Sequence, residues 1–175
     1  PVGTLQKLLR MELGGDFTRV SRDERREAVT RLDAAPLWIF DHYGRLGREA
    51  LIETARYCVR RHGARWVLVD HLGFVLDPDA EDERREIEAV VRDLALIAKL
   101  DGFACWLVAH PSNLPAAQGR RVTMGDLKGA SAIKQDADEV LVAVRNPVAM
   151  RGHPSVTVHV DKVRSEFGDV GASAI

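Results

Sequence analysis

Two uninterrupted apolar runs, each closing on a polar residue, constrain this chain more than any other feature. Trp66-Val67-Leu68-Val69 ends at Asp70, and the run from Phe103 to Ala109 ends at His110. Short runs of this kind, without polar alternation, suit strands of a parallel sheet covered on both faces. Between them lies an amphipathic stretch with Ile87, Val90, Val91, Leu94 and Ile97 on one stripe, closed by Gly102. That spacing predicts a long helix. Strand, helix, strand makes a βαβ unit, whose two strands run parallel. Ligands of such sheets bind beyond the carboxyl ends of the strands. Asp70 and His110 are therefore predicted to lie close together on one functional edge.

The flanking chain continues the pattern. Leu5, Leu8, Leu9 and Leu13 have helical spacing, and Gly14-Gly15 ends that helix. Ser21 and Glu24 have the form of a capping box. They open a charged helix to about Ala34 with Ala28, Val29 and Leu32 as its stripe. Pro36 breaks the chain before Leu37-Trp38-Ile39-Phe40, a short apolar run predicted as a buried strand. Residues 47–62 carry Leu51, Ile52, Ala55, Cys58 and Val59 on one helical face, stopped by Gly63. Further on, residues 130–138 read as a short helix, with strands at Val140–Val144 and Ser155–Val163. Asn146–Pro154 reads as a loop, and Gly168 and Gly171 flank a turn.

The 175 residues are 46% hydrophobic and 29% charged, enough apolar material for a core, so one domain over 1–175 is expected. The net charge of −1 excludes a generally basic nucleic-acid binder and confines any such site to a loop or one face. Cys58 and Cys105 fall within apolar patterns, as buried free thiols in a reducing compartment do. No apolar run approaches the roughly 18 residues of a membrane-spanning helix, and no signal peptide opens the chain, so a cytoplasmic protein is expected. Pro1 stands first instead of Met, and Pro1 to Leu9 reads as interior sequence, which suggests a fragment or processed chain.

The chemistry-bearing residues each admit a second, structural explanation. A carboxylate at a strand end, Asp70, suits Mg²⁺ held directly or through water; an Asp there also caps turns. His110 suits a sensor of a terminal phosphate, or a hydrogen-bonded structural histidine. In the stretch Asp126-Leu127-Lys128-Gly129-Ala130-Ser131-Ala132-Ile133-Lys134-Gln135-Asp136-Ala137-Asp138, small residues permit close backbone or phosphate approach. Lys128, Ser131 and Gln135 offer donors to phosphate oxygens or a DNA backbone; a short solvated helix is the alternative. Lys162 and Arg164, two apart on a strand, face one side. They could reach a neighbouring subunit's γ-phosphate as arginine fingers do, or lie along the surface. Arg120 and Arg121 follow His110 in a loop at the same sheet edge and could touch a phosphodiester backbone, or be ordinary exposed cations. The acidic residues 77–86 suit a helix start. No GxxxxGK[ST] phosphate loop occurs. A sheet of this kind is therefore expected to have its first strand and helix upstream.

Together these motifs resemble the helicase domain of DnaB-type replicative helicases, most of all the phage primase–helicase and mitochondrial Twinkle branch, from about Thr4 to Gly171. Trp66 to His71 is similar to the family's Walker-B motif, and Leu107-Val108-Ala109-His110-Pro111 to its sensor motif. Residues 126–138 resemble its DNA-facing motif. Lys162-Val163-Arg164 followed by Gly168 to Gly171 resembles its arginine-finger strand and turn, with one residue more before the glycine turn than the family pattern has. The resemblance implies an α/β, RecA-like three-layer sandwich with a mostly parallel sheet, truncated at its N-terminus. It implies Mg²⁺ at Asp70, ATP or another NTP sensed by His110, and Lys162 and Arg164 acting in trans on the next subunit. Arg120, Arg121, Lys128 and Gln135 would face single-stranded DNA. The intact protein would be a homo-oligomeric ring, usually hexameric, with a primase domain or protein as a candidate partner; the fragment alone is expected to be inactive. A RecA-like recombination or regulatory ATPase that binds DNA without unwinding is the alternative. A non-catalytic module that packs against a partner is a third reading.

Overall fold

The computed structural model describes residues 2–14, 20–40, 42, 44–76, 82–111, 121–127, 129–145, 156–164, 171 and 173–174. They fall into two units, within residues 1–43 and 44–175. In the first unit, α1 spans Val2–Glu12 and α2 spans Arg22–Ala34. The capping box forms as its spacing predicts. The Ser21 hydroxyl accepts from the Glu24 N–H at 3.2 Å, and the Ser21 N–H donates to Glu24 Oε2 at 2.8 Å. The exchange satisfies two backbone donors that a helix start otherwise leaves unbonded, and hydrogen bonding to the Glu24 carboxylate, from the Ser21 side chain first and its backbone N–H second, lowers the Glu24 pKa. Arg31 Nε on α2 meets Glu12 Oε1 of α1 at 2.6 Å.

The predicted strand at Leu37–Phe40 is absent. These residues have no regular structure, and Leu37, Trp38 and Phe40 are about half exposed. The Leu37 N–H turns back to the Ala35 carbonyl at 2.7 Å, across Pro36, and among the described residues no strand pairs with the segment. An apolar run becomes a strand only where a neighbouring ladder takes up its backbone groups.

In the second unit, α3 (Arg48–His62) closes on Gly63 and leads into β1 (Trp66–Val69). A 3-10 turn at Leu72–Phe74 follows, then α4 (Glu83–Asp101) and β2 (Ala104–Leu107). The β1–α4–β2 passage is the expected βαβ unit: β1 and β2 pair in parallel, Trp66 opposite Ala104 and Val69 opposite Leu107. The stripe Ile87, Val90, Val91, Leu94 and Ile97 is buried throughout, and it packs in one core with Leu51, Ala55, Val69 and Phe103. A second 3-10 turn (Met124–Asp126) and α5 (Ala130–Asp136) precede an antiparallel sheet of β3 (Glu139–Arg145), β4 (Val156–Val163) and β5 (Ser173–Ala174). No described helix is long and apolar enough to cross a membrane.

Burial on β1 alternates although its sequence does not. Val67 and Val69 face the core, whereas Trp66 and Leu68 are 66% and 68% exposed. Trp106 of β2 is likewise exposed, with its ring 6.3 Å from that of Trp66. The expectation of cover on both faces is thus met on one face only among the described residues. Cys58 and Cys105 are free and partly buried, and burial pushes the Cys105 thiol up to about 11.

Asp101 ties the end of α4 to α3. Its carboxylate accepts from Arg56 Nε at 2.7 Å and Arg60 Nη2 at 2.9 Å. The Arg60 and Arg56 hydrogen bonds hold this carboxyl below its ordinary value of 3.8. A depressed folded-state value means the pair stabilises above the ordinary carboxylate range and is lost as pH falls through the folded one. Asp101→Asn is therefore expected to lower the thermal midpoint at neutral pH, with the gap shrinking in acid below the ordinary value of 3.8. Thermal melts across that range check this; a gap independent of pH would contradict it.

Candidate functional site

The parallel pairing carries both polar strand ends to one edge. Beyond β1 and β2 the ladder continues: Val108 N–H donates to the Val69 carbonyl at 2.9 Å, and Leu72 N–H donates to the Val108 carbonyl at 2.8 Å. Asp70 therefore leaves β1, and His110 leaves β2, on the same side of the sheet. Both are exposed. His71 follows Asp70 in the chain, and its ring lies 4.4 Å from that of His110, centroid to centroid, in an edge-on arrangement at 64°. The Asp70–His71 peptide is cis. An exposed carboxylate and two imidazoles on one edge, at the carboxyl end of parallel strands, suit a hard cation together with an anionic ligand. Among the described residues, no three His, Cys, Asp or Glu side chains gather into a metal site of their own. Asp70 fits instead the single-carboxylate pattern in which Mg²⁺ takes its remaining ligands from substrate phosphates and water.

Leu127 is joined by an antiparallel bridge to Pro111, just past His110. Thr123 and Asp126 cap the 3-10 turn: Asp126 Oδ2 accepts from the Thr123 N–H at 2.8 Å and from its hydroxyl at 2.9 Å. Arg121 is paired with Asp161 of β4 at 2.9 Å, and the other Asp161 oxygen accepts from the Met124 N–H at 2.8 Å. Arg120 and Lys128, expected to face DNA, lie outside the described residues, as do residues 77–81 of the acidic run, the loop at 146–154, Ser155 at the start of the predicted strand and Gly168 of the turn. Gln135 is exposed on α5. Ser131, read as a phosphate donor, accepts from Arg84 Nη2 of α4 at 3.3 Å. Thr123, Met124, Gly125, Ser131, Lys134 and Asp161 line a shallow cavity of about 420 Å³.

The small residue at 129 has a different use from the one its motif suggested. Gly129 sits at the N-cap of α5 with φ +70°, a left-handed conformation that side chains disfavour. A Cβ placed there would stand 2.1 Å from Cγ2 of Ile87. The close approach that glycine permits here is between α5 and α4.

Lys162 and Arg164 do face one side, as their spacing predicts, and that side is the carboxyl end of α5. Lys162 Nζ donates to the carbonyls of Lys134 at 2.6 Å and Ala137 at 2.5 Å. Arg164 Nη2 donates to the Gln135 carbonyl, and Nη1 meets Asp138 Oδ1 at 3.0 Å. A helix ends with unbonded carbonyls and partial negative charge, and cations satisfy both. Burial, and then the neighbouring Arg164 cation, lower the Lys162 amine from its usual value, against the opposing pull of Asp138 and Asp136.

Gly73 and Asp161 were not read from the sequence, and His71 and Asp138 entered that reading only as the ends of longer motifs, with no role of their own. Asp161 is aimed by a register shift in β4, where Val140 pairs with Lys162 but Leu141 pairs with Val160. The extra residue is Asp161, and its side chain is only 8% exposed. A bulge of this type re-aims one side chain within an otherwise regular strand. The alternation that starts at Val156 puts Asp161 on a polar position and breaks only at Lys162, and that break was the available signal.

Residues 7–173 match the family described as DnaB-like helicase C terminal domain. Among curated proteins, the DNA helicase/primase of Enterobacteria phage T3 is 26% identical over 139 residues, covering 76% of this chain and 24% of that protein. Among solved structures, one described as a DnaB-like replicative helicase and its interactions with primase aligns with a TM-score of 0.68 at 23% identity. It covers 89% of this chain and 39% of the other, and at that identity it speaks to the fold. The chain thus spans well under half the length of either relative.

Gly129→Ala is expected to destabilise the second unit by about 2–4 kcal/mol, through left-handed strain added to overpacking against Ile87. Denaturant unfolding measures this. Unchanged stability would show that α5 does not dock on α4 through Gly129.

Proposed function

The chain belongs to the DnaB-like helicase C-terminal domain family, and from that footing we propose that it forms part of an NTP-driven, ring-forming replicative DNA helicase. In this reading residues 1–175 are the C-terminal part of a RecA-like three-layer ATPase domain, working in the cytoplasm on nucleoid or phage DNA. The intact protein moves along single-stranded DNA and separates the duplex ahead of it. The observation that carries the reading is the parallel pairing of β1 and β2, which brings Asp70 and His110 to one sheet edge.

The site residues divide the work as follows. Asp70 holds Mg²⁺, directly or through water, and His110 contacts the γ-phosphate of ATP or another NTP. A magnesium ion held there would supply neutralisation of the phosphate charge. Lys162 and Arg164 act on the nucleotide of an adjacent copy in a ring, hexameric in this reading. Reaching it means exchanging the neutral carbonyls of α5, and for Arg164 the Asp138 carboxylate, for anionic phosphate oxygens. Phosphoryl transfer asks for positioning and charge stabilisation, with no covalent step on the protein.

Arg120, Arg121, Lys128 and Gln135 are the proposed DNA-facing residues. Arg121 and Gln135 stand on the segment that leads away from the sheet edge, and Lys134 beside the shallow cavity adds a further cation. The phage relative unites helicase and primase in its description, and the solved relative is described with primase. A primase, as a domain or a separate protein, is accordingly a proposed partner.

Arg164→Ala in the intact protein is expected to lower NTP turnover by about 10³-fold while nucleotide binding persists, because a trans-acting cation stabilises the transition state and not the bound substrate. Mixed with Asp70→Asn subunits, Arg164→Ala subunits are expected to regain turnover at interfaces that pair an intact Asp70 with an intact Arg164. Mixed rings that stay inactive would contradict action in trans. Absence of strand displacement on forked DNA by the unsubstituted protein would contradict the helicase reading.

A further inference from the structure

His71 is held on three sides. The Gly73 N–H donates to its Nδ1 at 3.1 Å. The Phe74 ring lies 4.6 Å away at 50°, and the His110 ring lies 4.4 Å away at 64°. The fit against the backbone is close: a Cβ on Gly73 would stand 2.9 Å from His71 Cε1 and 3.1 Å from Nδ1. Glycine is needed at 73 because an imidazole occupies the space a side chain would take.

The hydrogen bond also decides the tautomer. An imidazole nitrogen that accepts cannot carry the proton, so the proton of a neutral His71 sits on Nε2. His71 therefore meets its surroundings with one defined donor and one committed acceptor. His110 by contrast is exposed at the end of its strand. An exposed imidazole samples several ring orientations, and a misplacement of about 1 Å in a positioning group costs on the order of 10²-fold in rate.

We propose that His71 is a positioning residue for His110: its ring, locked by Gly73 and Phe74, sets the orientation in which His110 meets a terminal phosphate. The proposal rests on the reading of His110 as the phosphate sensor and assigns to His71 no contact with the nucleotide. It gives the 3-10 turn Leu72–Phe74 a purpose, which is to convert a backbone N–H and a phenyl ring into a fixed mount for the sensor.

The test uses the intact protein with single-stranded DNA and NTP, reading kcat and KM separately. His71→Asn keeps an oxygen that accepts the Gly73 N–H but removes the ring. It is expected to hold the thermal midpoint while kcat falls about tenfold and KM stays within about threefold. Gly73→Ala, which displaces the ring from its mount, is expected to reproduce the loss, and the double variant to be no worse than His71→Asn alone. His110→Ala run alongside separates the two claims. If His110→Ala abolishes turnover while His71→Asn stays within about twofold of the unsubstituted protein, the positioning role is overturned and the sensor reading stands. If His110→Ala leaves turnover intact, the sensor reading falls and this proposal with it. A measurement free of any folding defect is the ¹⁵N spectrum of the unsubstituted protein. His71 is expected to show an unprotonated Nδ1 and a protonated Nε2, and a protonated Nδ1 would overturn the proposal.

Discussion

The parallel ladder between β1 and β2 is the constraint on which the rest of the structure depends. Because the strands run the same way, everything that follows either of them emerges on one edge, and the hydrogen bonds Val108 to Val69 and Leu72 to Val108 extend the pairing past the strand ends. Those two bonds hold the backbone on which Asp70, His71 and His110 sit. The pairing in turn depends on α4, whose length returns the chain to the start of β2 and whose buried stripe packs with Val69 and Phe103 in one core. Loss of that packing would release the strand ends together with the core.

A second constraint operates at α5. Its N-terminus presses on α4 through Gly129 and Ile87, and Ser131 on its first turn accepts from Arg84 of α4. Its C-terminus receives Lys162 and Arg164 from the end of β4. The short helix is thus tied at one end to the helix that organises the strand-end site, and at the other to the cations proposed to act on a neighbour. Asp161, aimed by the bulge in β4, adds a link from the same strand to Met124 and Arg121.

Much of this was legible in the sequence because it is local. The spacing of Ile87, Val90, Val91, Leu94 and Ile97 gave α4, the capping pair Ser21 and Glu24 gave the start of α2, and the polar residues closing two apolar runs gave the shared edge. What escaped depends on partners distant in sequence. Leu37–Phe40 has the composition of a strand but no described ladder partner, and composition does not report partners. Trp66 and Leu68 look like core residues, yet their face of β1 is exposed. The single-residue shift at Asp161 is invisible to a reading that assumes regular alternation. Gly129 was recognised as a place of close approach, but the approaching group is Ile87, which lies 42 residues earlier in the chain. The resemblance to a known family supplied the roles of Asp70, His110 and Arg164; spacing alone left each with a structural explanation.

The central claim is that a metal-bound triphosphate sits at the edge shared by Asp70 and His110. Replacing Mg²⁺ with paramagnetic Mn²⁺ in the nucleotide complex of the intact protein tests it directly, through the side-chain resonances of the histidines. The account expects the His71 and His110 signals to broaden away when Mn²⁺ and nucleotide are added together. Signals from both rings that stay sharp in a nucleotide-saturated complex would place the phosphates elsewhere and contradict it.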